Sequence, residues 1–232
     1  MNQNEILVSK ELSGIKGLHL FGVLDGHGLN GGKISKYLRN AVNETAQMLI
    51  YRKQTNDLRE MMRSILRQAS DKLPVQNLYR IDPNKFDCSV SGAVALLAFV
   101  HGCRLFIANL GNARAILVTK YAGVRQLSND HKTTSSREQE RVAQEGGLIE
   151  NDYKTGLLHP VLWDDTHEKN IDITRSIGDL AMKRASRGMS DEPEISEYEL
   201  TENDSALVLG THAIWRHLSN DKVATIMAEY HG

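Results

Sequence analysis

Cysteine is nearly absent from this chain: its 232 residues include two, Cys88 and Cys103. Two thiols make no disulfide framework, and their spacing fits no zinc ligand set. Each stands beside apolar residues, so both are expected to be buried free thiols, in keeping with a reducing compartment. Proline is scarce at four residues, and the eighteen glycines are dispersed. Neither gathers into a linker, which argues against a hinge between domains. Surplus charge is missing as well: 28 Lys and Arg against 29 Asp and Glu leave a net charge of −1. That balance exerts no global pull on nucleic acid or anionic membrane, so any ion site has to be local. No apolar run approaches the roughly 18 residues of a membrane span. The opening "MNQNEILVSK" lacks the charged start and apolar core of a signal peptide, and a cytoplasmic or nuclear location is expected.

What is present is ordinary globular material, 41% hydrophobic and 25% charged. "NEILVS" and "LHLFGVL" read as strands separated by a turn containing Gly14 and Gly17. From Lys33 the period lengthens: Ile34, Leu38, Val42, Ala46 and Leu49 recur at helical spacing. A second helix is predicted from Leu58 to Leu73, its stripe formed by Met61, Met62, Ile65, Leu66 and Ala69. Three apolar runs follow, "SGAVALLAFV", "RLFIANL" and "ARAILVT", and their tight connections suggest a three-stranded meander. "SSREQERVAQEGG" reads as a polar helix capped by Ser135 or Ser136 and closed at Gly146. "ISEYEL" and "SALVLG" are further strands, and "LSNDKVATIMAEY" is a final helix capped at Ser219. Helices and strands do not alternate strictly, which favours an antiparallel α+β sandwich over a parallel sheet.

One strand ends in an unusual way. "FGVLDGHG" runs from apolar residues into Asp25, Gly26, His27 and Gly28. Asp-Gly is by itself a common turn signal. A carboxylate at the end of a buried strand is also rigidly held, and the glycine after it lets a carbonyl approach an ion. Hard dications such as Mg²⁺ take oxygen ligands, and a two-metal site needs further carboxylates from elsewhere in the chain.

With these residues in view, the sequence resembles the type 2C metal-dependent Ser/Thr protein phosphatases, the PPM family. "NQNEILV", "FGVLDGHG", "SGAVALLAFVHGCRLFIANLGNARAIL", "LSNDHK", "EQERVAQEGG", "ITRSIGD", "DEPEISEYEL" and "ALVLGTHAIWRHLSNDKVATI" match its segments in order, over nearly the whole chain. The resemblance implies a four-layer α-β-β-α sandwich, two antiparallel sheets flanked by helices, as a single domain over residues 1–232. It further implies Mg²⁺ or Mn²⁺ at one end, with a metal-bridging water attacking a phosphoserine or phosphothreonine. Carried over by position, Asp25 would bridge the metals and Gly26 would offer its carbonyl. His27 would be the general acid, and Asp130 would belong to an outer metal position. Arg175 and Asp179 would belong to a flap and its anchoring.

The pattern breaks at the site rather than in the core. Asn4 stands where the family has Asp. Thr211, His212, Ala213, Ile214, Trp215 and Arg216 occupy a stretch that in the family supplies two acids four residues apart. Those ligand positions are His212 and Arg216, with Ala213 in place of a glycine, and Asn112 replaces another Asp. The family's extreme N-terminal and C-terminal strands, with a phosphate-binding arginine and a last metal ligand, have no counterpart in residues 1–232. The resulting expectation is a pseudophosphatase with weak or absent Mg²⁺ or Mn²⁺ binding. Its His27 would be a vestigial acid, and it would act by binding a protein partner such as a phosphoprotein or kinase. The alternative is an active Mg²⁺/Mn²⁺ phosphatase with a rearranged site that recruits His212 or a ligand outside this chain.

Overall fold

The computed structural model describes residues 2–52, 57–73, 85–121, 123–152, 160–164 and 170–231. Strand β1 (Asn4–Ser9) pairs antiparallel with β2 (Leu18–His27), in a register that sets Asn4 opposite Asp25. Helices α1 (Gly31–Tyr51) and α2 (Leu58–Asp71) follow. Strand β3 (Gly92–His101) forms a hairpin with β4 (Arg104–Leu110), and then come β5 (Arg114–Thr119) and β6 (Val124–Gln126). Helix α3 (Ser136–Gln144) leads into β7 (Leu148–Asn151), β8 (Pro160–Trp163), β9 (Asn170–Ile171) and β10 (Ile177–Gly178). The chain ends through α4 (Leu180–Ala185), β11 (Glu194–Glu199), β12 (Asp204–Gly210), α5 (His212–His217) and α6 (Asn220–His231).

One sheet runs β1-β2-β3-β4-β11, with β10 paired to the start of β3, and a second runs β12-β5-β6. Strands β7, β8 and β9 form a small third sheet. The layers follow from side-chain alternation. On β3, Ala93, Ala95, Leu97 and Phe99 pack with the apolar stripes of α1 and α2, whereas Val94, Leu96 and Ala98 face the second sheet. A strand buried on both faces has to be apolar at every position, which is why "GAVALLAF" shows no alternation. On β5, Ala115 and Leu117 point inward, while Ile116 and Val118 meet Trp215, Val223 and Ala224 from α5 and α6. The expected α-β-β-α sandwich is therefore the observed one. Each fully buried Leu or Phe contributes about 1.5–3 kcal/mol to it.

The predicted meander stops after two strands. β4 and β5 are consecutive but do not pair; β5 crosses to the second sheet and pairs β12 and β6. The crossover uses Gly111 at φ +119°, where an added Cβ would strike the side chain of Val94. Gly146 at φ +78° closes α3, and Ser135 takes its N-cap position without a side-chain cap bond. At α6 the Ser219 hydroxyl accepts from the Lys222 N–H at 3.2 Å. Of the two thiols, Cys88 is buried as expected, but Cys103 is exposed, because it sits in the tight turn between β3 and β4. His159 and His167 lie outside the described residues, and His101 is exposed at the end of β3.

Candidate functional site

The cleft opens where β2 ends. Alternation on β2 turns Phe21, Val23, Asp25 and His27 toward the second sheet, while Leu20 and Leu24 face the helices. Asp25 and His27 thus come to line a cleft of about 290 Å³ together with Asn112, Asp172 and His212. Its apolar walls are Val94, Ile171 and Ile173. Burial pushes the Asp25 carboxyl above its ordinary pKa, against the opposing pull of the His212 backbone N–H and of the nearby His27 and His212. Burial, with help from Lys132, pushes His212 down, so its imidazole is neutral at pH 7. The Nδ1 atom of His212 is buried and has no hydrogen-bond partner.

His27 is held from behind. Its Nε2 lies 2.7 Å from Asp179 Oδ2, and that oxygen also accepts from Ser176 Oγ at 2.5 Å. Asp179 is 2% exposed and adopts φ +48°, a strained value for a side chain other than glycine. Gly92 makes the approach possible, since a Cβ there would press into the Asp179 carboxylate and stand 2.8 Å from His27 Nε2.

Arg175 has a separate position. It is buried, with Nε and Nη2 donating to the two oxygens of Glu138 at 3.1 and 2.6 Å, and Nη1 donating to the Glu192 carbonyl at 2.9 Å. Arg141 and Thr174 also donate to Glu138. Burial alone would raise the Glu138 pKa, but these donors hold it well below the usual carboxylate range.

Asp130 is committed elsewhere too. Arg114 Nε and Nη2 donate to its two oxygens at 2.9 and 2.8 Å, and Lys132 Nζ lies 2.8 Å from Oδ2. Asn4 lies beside Asp25 in register, and its Nδ2 donates to Thr211 Oγ1 at 3.5 Å. Gly26 is buried, with its N–H donating to the Gln3 carbonyl at 3.3 Å. His212 faces the cleft, whereas Ala213 and Arg216 are exposed on α5 and do not line it.

Asp172 went unnoticed in the sequence. It belongs to no motif, and the available signal was a single carboxylate between Ile171 and Ile173 in "NIDITR". At the positions where the resemblance places metal ligands, Asp130 is matched by two cations, position 4 carries an amide and position 212 an imidazole. Among the described residues no three His, Cys, Asp or Glu side chains converge closely enough to hold a metal ion.

Comparison with known proteins bears on the frame that carries this cleft. The profile of the family described as Protein phosphatase 2C matches residues 3–230. The chain is 31% identical over 219 residues to "Probable protein phosphatase 2C 61" of Arabidopsis thaliana, across 90% of this chain and 63% of that protein. It is 30% identical over 211 residues to "Probable protein phosphatase 2C 2" of Oryza sativa subsp. japonica, across 89% of this chain and 51% of that protein. The chain therefore spans between about half and two thirds of the length of these curated relatives. Among solved structures, the serine-threonine phosphatase 2C of Toxoplasma gondii is similar, with a TM-score of 0.78 at 17% identity, covering 100% of this chain and 80% of that one. A C. elegans sex determining protein gives a TM-score of 0.80 at 18% identity, covering 99% of this chain and 53% of that one. At such identities the two structures speak for the fold alone. With its sandwich, its segment order and its sequence all matching, the chain belongs to the protein phosphatase 2C family.

Proposed function

We propose that this chain keeps the type 2C fold without the family's two-metal hydrolysis, and that it acts by binding a protein partner, such as a phosphoprotein or a kinase, around its cleft. The observation that carries this reading is the pairing of Asp130. Its two oxygens are saturated by Arg114 and Lys132 at 2.8 to 2.9 Å. A carboxylate already matched by two cations has little left to offer a third. The amide at Asn4, the imidazole at His212 and the guanidinium at Arg216 remove further negative charge from the positions where the resemblance puts metal ligands. His27 keeps its Asp179 support, but in this reading it has no leaving group to protonate.

A second reading rests on Asp172. It brings a second carboxylate to the cleft beside Asp25, and a divergent Mg²⁺/Mn²⁺-dependent phosphatase would use it in place of the acids missing at positions 212 and 216. Phosphopeptide turnover by the full chain with millimolar Mn²⁺, beside an Asp25→Ala control, separates the two. The proposal expects no turnover above that control. Metal-dependent hydrolysis abolished by the substitution would overturn it.

A further inference from the structure

Asp25, half-buried, and Asp172, exposed to solvent, both line the cleft, and neither has an ion-pair partner among the described residues. By contrast, Asp130 is matched by Arg114 and Lys132, Glu138 by Arg175 and Arg141, and Glu194 by His131 and Arg137. Two carboxylates alone do not make a binding site. A second feature points the same way, namely Asn112. It is 7% exposed and lines the same cleft, yet its side chain has no hydrogen-bond partner among the described residues. An amide left without a protein partner and facing a cleft is available to a ligand.

Among the described residues the polar lining is His27, held from behind by Asp179, and His212, with two carboxylates and the Asn112 carbonyl oxygen as acceptors. A complementary ligand has to bring positive charge and several N–H donors. The walls of Val94, Ile171 and Ile173 suit an aliphatic stem rather than a fully hydrated ion. At about 290 Å³ the space is at the lower end of ligand pockets, sized for one side chain rather than a cofactor. Lys132, the cation nearest in effect to His212, is neutralised by its contact with Asp130.

We infer that the cleft receives the guanidinium of an arginine presented by a partner protein, held between Asp25 and Asp172 with Asn112 as a further acceptor. Arginine is favoured because its planar fork of five donors pairs bidentately with carboxylates, and its stem packs on apolar walls. This deepens the binding reading above and rests on it, because a cleft that held two dications would repel the same group.

The test follows backbone amides of the ¹⁵N-labelled full chain by NMR, with N-acetyl-arginine methylamide as probe and its uncharged citrulline analogue as control. The expected result is saturable shifts at Gly26, Asn112 and Ile173 with a Kd of about 1 mM. The citrulline compound should leave those amides unmoved. Asp172→Asn should weaken binding by about tenfold, corresponding to about 1.4 kcal/mol. That variant removes no hydrogen bond, so its spectrum should otherwise match the wild type. In the unsubstituted protein, raising NaCl should weaken binding several-fold. Absence of shifts, equal shifts with citrulline, indifference to salt or an unaffected Asp172→Asn variant would each refute the assignment. So would Mg²⁺ saturating the same amides at lower concentration than the arginine compound. The two readings fail separately: Mn²⁺-dependent turnover sinks the functional proposal, whereas silent arginine titrations without turnover sink only this one.

Discussion

Arg114 and Asp130 face each other as a two-pronged pair, Nε to Oδ1 at 2.9 Å and Nη2 to Oδ2 at 2.8 Å, across sixteen residues of sequence. The same guanidinium donates to Asn220 Oδ1 at 2.8 Å and lies 5.4 Å over the ring of Trp215. One side chain therefore ties the second sheet to both α5 and α6 while occupying an acid that the resemblance assigns to metal.

Removing one member should be costly. Arg114→Ala leaves a mostly buried carboxylate with Lys132 as its remaining cation, and a loss of about 3 kcal/mol is expected in urea unfolding. The double variant Arg114→Met with Asp130→Leu should lose less than the single one, because the buried carboxylate is gone and Lys132, a quarter exposed, can turn to solvent. If both lose equally, the pair is not the source of the effect.

Acid should weaken the fold in two stages. Burial lowers the His131 pKa below its ordinary 6.5, so the unfolded chain takes up a proton before the folded one does, and stability begins to fall as pH drops through 6.5. Hydrogen bonds led by His131 pull Glu194 from 4.5 down to about 2. A depressed carboxyl contributes stability that is complete above its unfolded pKa and is lost as pH falls toward its folded one. The steeper decline should therefore run from about pH 4.5 to about 2, reinforced by Glu138 and Asp130, which are also held low. Thermal melts across that range check the order of the two stages; a stability maximum near pH 4 would contradict it.

Asp25 works in the opposite direction. Its pKa is raised by burial, so its charged form destabilises the folded state at neutral pH. Asp25→Asn is expected to stabilise by about 0.5–2 kcal/mol at pH 7, with the gain shrinking as pH falls through the folded pKa of Asp25. Chemical denaturation at two pH values reads this directly.

Gly92→Ala should disturb the cleft through packing. The new methyl collides with the Asp179 carboxylate and stands 2.8 Å from His27 Nε2. A loss of about 1–3 kcal/mol is expected, together with displacement of the His27 ring resonances. An unperturbed His27 spectrum in a folded variant would mean that the His27–Asp179 pair tolerates separation.

The thiols should react unequally. Cys103 is exposed, whereas Cys88 is buried, and its pKa is pushed up to about 11 mainly by burial. A disulfide reagent at pH 8 should titrate one thiol per native chain and both after unfolding.

Much of the frame was legible before any coordinates. The stripe from Ile34 to Leu49 became α1, and "NEILVS" became β1 with its bounds intact. Both are local, periodic patterns that bury one face. The meander failed because pairing partners are not encoded by adjacency. β5 is as apolar as β4, and only the turn at Gly111 and the reach of β12 decide which sheet it joins.

The order of the longer elements, an antiparallel α+β sandwich and the presence of Asp25 and His27 at the end of an apolar strand follow from the sequence alone, because hydrophobic period and strand alternation act over a few residues. The four-layer class came from the family resemblance. Which charges remain unmatched was settled by tertiary structure alone. Arg114 reaches Asp130, His27 reaches Asp179 across 152 residues, and Asp172 turns into the cleft beside Asp25. Pairing depends on distance and burial, and neither is set until distant segments have packed.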